Sequence, residues 1–232
     1  MSLTELGPLP SPTLPSLPRR PPTCGRQYDF VNAEKAMGRS PEQLSAVAGY
    51  GGGRKGTSAD GRVCYYYARD SSVYEGLGHA EVVQVELDAN ERQADQFRAF
   101  AQTYFTQFRK TPFGMIRQDP QDAGPGYRNV VGIPGGTSSP LYRILEEENV
   151  NGMRLVAGAG GDFDGRGKAL EDDEINTVWI LDSTALPFNR AEKWHQFHSG
   201  VGHPFPKSYT QELKEQVAKT GKIDPISGCP EY

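Results

Sequence analysis

The residues of this chain that could do chemistry are few and scattered. Three cysteines, Cys24, Cys64 and Cys229, and four histidines, His79, His195, His198 and His203, are spread over 232 residues. No CxxC spacing occurs, which excludes a zinc ribbon or a thioredoxin-like dithiol, and the three irregular cysteines form no disulfide framework. His195 and His198 stand in HxxH spacing within "WHQFHSGVGH". No cysteine or acid close by in the sequence completes a metal set, so the pair reads as polar residues on a helix flank and in the loop after it. The segment "DFDGRGKALEDD" sets Asp162, Asp164, Gly167 and Asp173 near calcium-loop offsets. Arg166 occupies a ligand position there, and strand-like sequence flanks it, so the segment reads as a solvated hairpin turn and no metal is expected. One further acid stands out. Asp29, in "GRQYDFVNAEKAMGR", lies between two aromatics where a short strand gives way to a helix. A helix N-terminus offers free N–H groups and suits a bound anion, so a carboxylate at that place needs a reason.

The elements that must position these residues follow from periodicity. "NAEKAMGR" reads as a helix, and "SAVAGYGGG" as a strand running into a glycine loop. "VVQVELD" alternates as a strand does. After it, "ANERQADQFRAFAQTYFTQFRK" carries Phe97, Ala101, Tyr104 and Phe108 as one helical stripe for the core. "YRNVVGI" is another strand, and "SSPLYRILEEEN" is a helix with Pro140 near its start. "MRLVAGAG" and "TVWILDST" read as a strand pair joined by the acidic loop, and "RAEKWHQFHSG" as a closing helix. Helices and strands alternate, so the class is α/β or α+β. Residues 1–23 differ: Pro12, Pro15, Pro18 and Pro21 recur three apart, which suits an extended polyproline II arm that could dock a protein partner.

Composition narrows the function classes. The chain is 36% hydrophobic and 23% charged, enough for one globular core plus a tail. A net charge of -4 gives no electrostatic case for nucleic acid or an anionic membrane surface. No apolar run reaches the length of a membrane span, and the N-terminus has no apolar signal-peptide core or transit-peptide composition. An intracellular, cytoplasmic protein is expected.

Taken together, four stretches resemble the A-type peptide methionine sulfoxide reductases. They are "AGYGGG" at Ala48–Gly53, "GLGHAEVVQVELD" at Gly76–Asp88, "RQDPQDAGPGYRNVV" at Arg117–Val131, and "NRAEKWHQFH" near the C-terminal end. They follow in the family's order, and the resemblance covers about residues 25–200. It implies an α+β fold, a two-layer sandwich or roll around a mixed sheet. The expected organisation is a proline-rich arm over 1–23, the reductase-like domain over 24–205 and a C-terminal tail over 206–232. The family needs no cofactor: a cysteine thiolate attacks the sulfoxide sulfur and is recycled by further thiols.

Carried over by position, the resemblance implies Glu81 as the acid and Asp122 and Tyr127 as oxygen-binding groups. Tyr66 or Tyr67 takes the place of the second tyrosine, and His195 matches the family's His-Gln pair. The nucleophile motif departs from the pattern. With Glu34 on the motif's glutamate, Asp29 stands at the cysteine, Phe30 keeps the phenylalanine of the methyl cage, and Val31 replaces its tryptophan. A carboxylate has no two-electron sulfur cycle. The expectation is therefore a domain without reductase activity that acts as a binding or structural subunit of a cytoskeletal, ciliary or organellar assembly. Its partners would be proteins reached through the arm, with a methionine-like side chain possible in the pocket. Two alternatives stay open: a reductase using Cys24, with Cys229 as a second thiol, or a different enzyme using Asp29 as nucleophile or base.

Overall fold

The structure, a computed structural model, describes residues 22–23, 26–56, 58–66, 72–119, 122, 124–160, 175–186, 188–199 and 204–231. The proline-rich arm before residue 22, Cys24, Tyr67, His203 and the acidic segment 162–173 lie outside them. The fold is mixed α/β, with four α-helices and three sheets among the described residues.

The main sheet has seven strands. In chain order these are β1 (Pro22–Thr23), β2 (Val47–Gly51), β5 (Ala80–Gln84), β8 (Val130–Ile133), β9 (Arg154–Ala157), β10 (Thr177–Asp182) and β11 (Asn189–Arg190). Their spatial order is β11-β2-β5-β1-β8-β10-β9. Pairings are antiparallel from β11 as far as β8 and parallel from β8 through β10 to β9. Strands β8 and β10, "VVGI" and "TVWILD", are buried almost throughout, which is why they read as unbroken apolar runs rather than alternating ones. Two small pairs complete the strands: β3 (Val63–Cys64) with β4 (Ser72–Val73), and the hairpin β6 (Phe108–Thr111) with β7 (Gly114–Arg117).

Helix α1 (Gln27–Ala36) buries Gln27, Phe30, Val31 and Glu34, the i, i+3, i+4, i+7 face of an amphipathic helix. Helix α2 (Gln93–Phe105) buries Phe97, Phe100, Ala101, Tyr104 and Phe105, while Phe108, expected on the same stripe, belongs to β6. Helix α3 (Pro140–Glu148) starts as its sequence requires. Ser139 caps it by accepting from the Leu141 amide at 3.3 Å, Pro140 occupies the first turn, and Leu141 and Leu145 face inward. These three helices share one core with Val83, Val85, Val131, Ile133, Val178 and Ile180 of the strands and their extensions. Beyond residue 205, where a tail was expected, a π-helical segment Ser208–Leu213 runs into α4 (Lys214–Ala218), and Tyr209, Leu213 and Val217 join the same core.

Three local expectations change. Strands β9 and β10 are adjacent but parallel, so the two are not hairpin partners. "RAEKWHQFHSG" holds a single 3-10 turn, Lys193–His195, in place of a helix, and Phe197 after it has φ 52°. Tertiary bonds impose this conformation: the Phe197 amide donates to Gln27 Oε1 at 2.6 Å, and the Gln196 amide group donates to the carbonyls of Ala48 and Ala191. Finally, Cys64 and Cys229 form a disulfide, although the irregular cysteine spacing gives no disulfide framework and leaves Cys229 as a possible free thiol. Among the described residues no helix is long and apolar enough to cross a membrane.

Candidate functional site

A cavity of about 100 Å³ opens where α1, β2 and β5 meet the loops after β7 and β11. Arg26, Gln27 and Tyr28 enter it from the start of α1, and Glu81 to Val83 form its floor on β5. Asp119, Asp122 and Tyr127 come from the loop between β7 and β8, and His195 and His198 from the loop after β11. Phe205 and Tyr209 close one side together with Tyr28. Tyr28 stacks on Phe205 with centroids 4.2 Å apart and meets the Tyr209 ring edge-on at 4.9 Å. The result is an aromatic wall facing an acidic one.

Local structure explains how these groups arrive. Glu34, fully buried in α1, accepts from the backbone amides of Ser45 and Ala46 and from Arg39, which ties α1 to the segment entering β2. Arg117 leaves β7 with its guanidinium over the Phe108 ring at 4.8 Å and donates to Asn129 Oδ1 at 3.1 Å, anchoring both ends of the loop that carries Asp122 and Tyr127. The chain must also pass close to Tyr74: a Cβ at Gly126 would lie 2.6 Å from its hydroxyl oxygen, so a glycine is required beside Tyr127.

Glu81 is the centre of the polar network. Its side chain is 20% exposed, its Oε1 accepts from the Tyr74 hydroxyl at 3.1 Å, and His195 Nε2 lies 3.5 Å from its Oε2. Burial opposes its charge, but hydrogen bonds from His195, Tyr127 and Tyr74 outweigh burial and hold its pKa below the ordinary glutamate value. Glu81 is thus an ionised acceptor at neutral pH. Burial first, and then the Glu81 charge, raise Tyr74 and Tyr127 well above an ordinary phenol, so both remain neutral donors. Tyr65, also raised by burial, brings its hydroxyl to 3.5 Å from that of Tyr127. Asp122 differs from Glu81: burial pushes it up to about 6, with Arg117 opposing the shift and the charges of Asp119 and Glu81 adding to it. Asp122 is therefore a group that can hold or release a proton near neutrality.

Of the residues singled out in the sequence, the fold brings Glu81, Asp122, Tyr127 and His195 to this one cavity. It does not bring Asp29, Phe30 or Val31. The Asp29 carboxylate pairs with Arg26 Nε at 3.0 Å and does not line the cavity, and Phe30 and Val31 are fully buried in the main core. Tyr66 is 49% exposed and stacks on Trp194, whereas Tyr65 and Tyr74 are the rings that join the network. Tyr67 and Cys24 lie outside the described residues, and Cys229 is no free thiol because it is bonded to Cys64. His79 holds the Gly53 amide and the Arg54 carbonyl and serves the glycine loop. Among the described residues no cysteine lines the cavity. The sequence reading passed over Tyr28, Phe205 and Tyr209, although "FPKSY" has the i, i+4 aromatic spacing of one helical face.

A scan of protein-family models finds no match for the chain, and a search of curated proteins finds none either.

Proposed function

We propose that this chain is an A-type methionine sulfoxide reductase-like domain, a two-layer roll, that has lost reductase chemistry and works as a binding or structural subunit. The observation that carries this reading is the composition of the cavity. Glu81, Asp122, Tyr127 and His195 converge there, while the residue at the family's nucleophile position, Asp29, is not among the lining residues and is held at the cavity's edge by its ion pair with the lining residue Arg26. A volume of about 100 Å³ is below the range of drug-sized ligand pockets and suits one side chain or a small group. The aromatic wall would contact the apolar part of a methionine-like side chain, and Glu81, Tyr127 and Asp122 its polar end. The proline-rich arm supplies a second contact with protein partners, and the setting is an intracellular assembly of cytoskeletal, ciliary or organellar type.

The test is turnover of a methionine sulfoxide peptide with dithiothreitol as reductant. No turnover is expected. Turnover that vanishes in Cys24→Ser would overturn the proposal in favour of a reductase using Cys24. For the binding role, affinity capture of the tagged full chain from its own cells should return stoichiometric partners, and recovery of a free monomer would count against it.

A further inference from the structure

The Cys64–Cys229 disulfide joins positions 165 apart in sequence and lies beside the loops that carry the candidate site. Cys64 adjoins Tyr65, whose ring is 4.8 Å from that of His195 and whose amide donates to Glu192 Oε1 at 2.7 Å. Cys229 sits in the segment 226–231, which crosses the turn bearing His195. There the Glu231 carboxylate accepts from the amides of Lys193 at 3.1 Å and Trp194 at 3.2 Å, and Trp194 Nε1 donates to the Pro230 carbonyl at 3.2 Å. On the other side, Arg62 Nη1 donates to the Ser227 carbonyl at 2.9 Å. The segment thus bridges residues 62–65, which hold β3, and the Lys193–His195 turn, with the fully buried Glu192 between them.

We propose that this disulfide is a redox-operated clasp: closed, it holds segment 226–231 across the loops of Tyr65 and His195, and reduction by a dithiol opens it. Cys64 is fully buried and Cys229 is 8% exposed, so the reductant's thiolate attacks Cys229 Sγ. The S–S bond breaks with its electron pair on Cys64, and the reductant's second thiol then displaces Cys229 from the mixed disulfide. Two electrons pass to the protein, the dithiol leaves as a disulfide, and its two protons end on Cys64 and Cys229. Once open, the segment keeps only non-covalent ties to the turn and to residues 62–65, among them the bonds of the exposed Glu231, of the Ser227 and Pro230 carbonyls and the packing of Ile226, so it can leave the turn by local opening. The clasp acts on the walls of the cavity whether or not the cavity binds a methionine-like group.

Hydrogen exchange on the full chain, with and without dithiothreitol, tests the proposal. At short labelling times the amides of Lys193, Trp194 and Ile226 should exchange faster by on the order of tenfold after reduction, while β8 and β10 stay protected. Re-oxidation should restore protection, and Cys229→Ser should exchange fast without reductant. Unchanged exchange after mass spectrometry has shown both thiols released would overturn the clasp. Equally early exchange in β8 and β10 would also overturn it, by making the bond a global staple. Maleimide labelling of Cys64 and Cys229 in folded protein before any reductant would overturn it at the outset.

Discussion

The Tyr74 hydroxyl donates to the Glu81 carboxylate at 3.1 Å, from a position seven residues earlier in the chain and across a stack that includes Tyr50. The bond explains how a carboxylate set well into the protein stays charged: a neutral phenol donates to the ionised form and stabilises it. Tyr74→Phe removes the donor and keeps the ring. The Glu81 pKa should rise toward the ordinary glutamate value, because one of the hydrogen bonds that hold its charged form is gone. Carboxylate NMR or infrared titration of the variant would measure it. An unchanged titration would mean that His195 and Tyr127 alone hold the charge.

Glu34 is a larger structural commitment. It is fully buried, and it pairs with Arg39, whose side chain is 9% exposed. Glu34→Ala leaves the buried Ser45 and Ala46 amides without their acceptor and removes the buried partner of Arg39, which keeps its bonds to the Glu86 carbonyl and Asp88. Removing one member of a buried pair costs about 3–5 kcal/mol. Urea denaturation should show a loss of that size, with the midpoint rather than the slope changing.

The legibility of this molecule divides by the range of the contacts. Glu81, Asp122, Tyr127 and His195 lie inside compact sequence motifs, and each motif lies on one strand or loop, so their positions could be named in advance. The aromatic wall could not, because Tyr28 meets Phe205 and Tyr209 across the whole chain, and contacts of that separation leave no local period. Tyr65 and Tyr66 differ by one residue, and at a strand end one residue decides which face a side chain takes. Strands β9 and β10 were readable as strands, and β10 has the unbroken apolar run of a parallel strand, but β9, at the sheet edge and part exposed, has no such run to mark it as a parallel neighbour rather than a hairpin partner. In "WHQFH" helical periodicity yields to tertiary bonds from Gln27 and Gln196. Propensity is a weak prior where buried amides impose the backbone.

The disulfide should also contribute to global stability, separately from any opening of the clasp. A cross-link closing a loop of 165-residue separation restricts the unfolded chain strongly. Cys229→Ser should therefore cost about 2–5 kcal/mol. Thermal or urea unfolding of wild type and variant without reductant measures the difference. Dithiothreitol should bring the wild type down to the variant and leave the variant where it is.

Asp29 should matter little to the fold. Its ion pair with Arg26 leaves side-chain exposures of 28% for Arg26 and 25% for Asp29, and partly solvated pairs contribute about 0–1 kcal/mol. Asp29→Asn is expected to lower stability by less than that upper figure and to leave the titrations of Glu81 and Asp122 in place. After burial, the Asp29 charge already helps raise the Tyr209 hydroxyl in the cavity wall, and a clear shift of either carboxylate would extend that influence to the cavity's acids and revive the role of Asp29 as a working acid.

Asp122 gives the pH dependence, and its sign is the reverse of that of a salt-bridged aspartate. Its folded pKa is raised from 3.8 to about 6, so between those values the native state binds more protons than the unfolded state. Stability from this group is fully present below the unfolded pKa and is lost as pH rises through about 6. Glu81 works in the opposite direction: with its folded pKa depressed, it contributes stability above the unfolded value that is lost as pH falls through the folded one. The two are separated by Asp122→Asn, which places a neutral group of the same shape in the site. At about pH 4 the variant should match the wild type, and from pH 4 to 7 it should become the more stable of the two by about 1–3 kcal/mol. Melting curves of both proteins across that range provide the measurement. A variant less stable than wild type at pH 7 would show that the charged form of Asp122 is held by a bond the fold needs, and would remove it as the proton-holding group of the cavity.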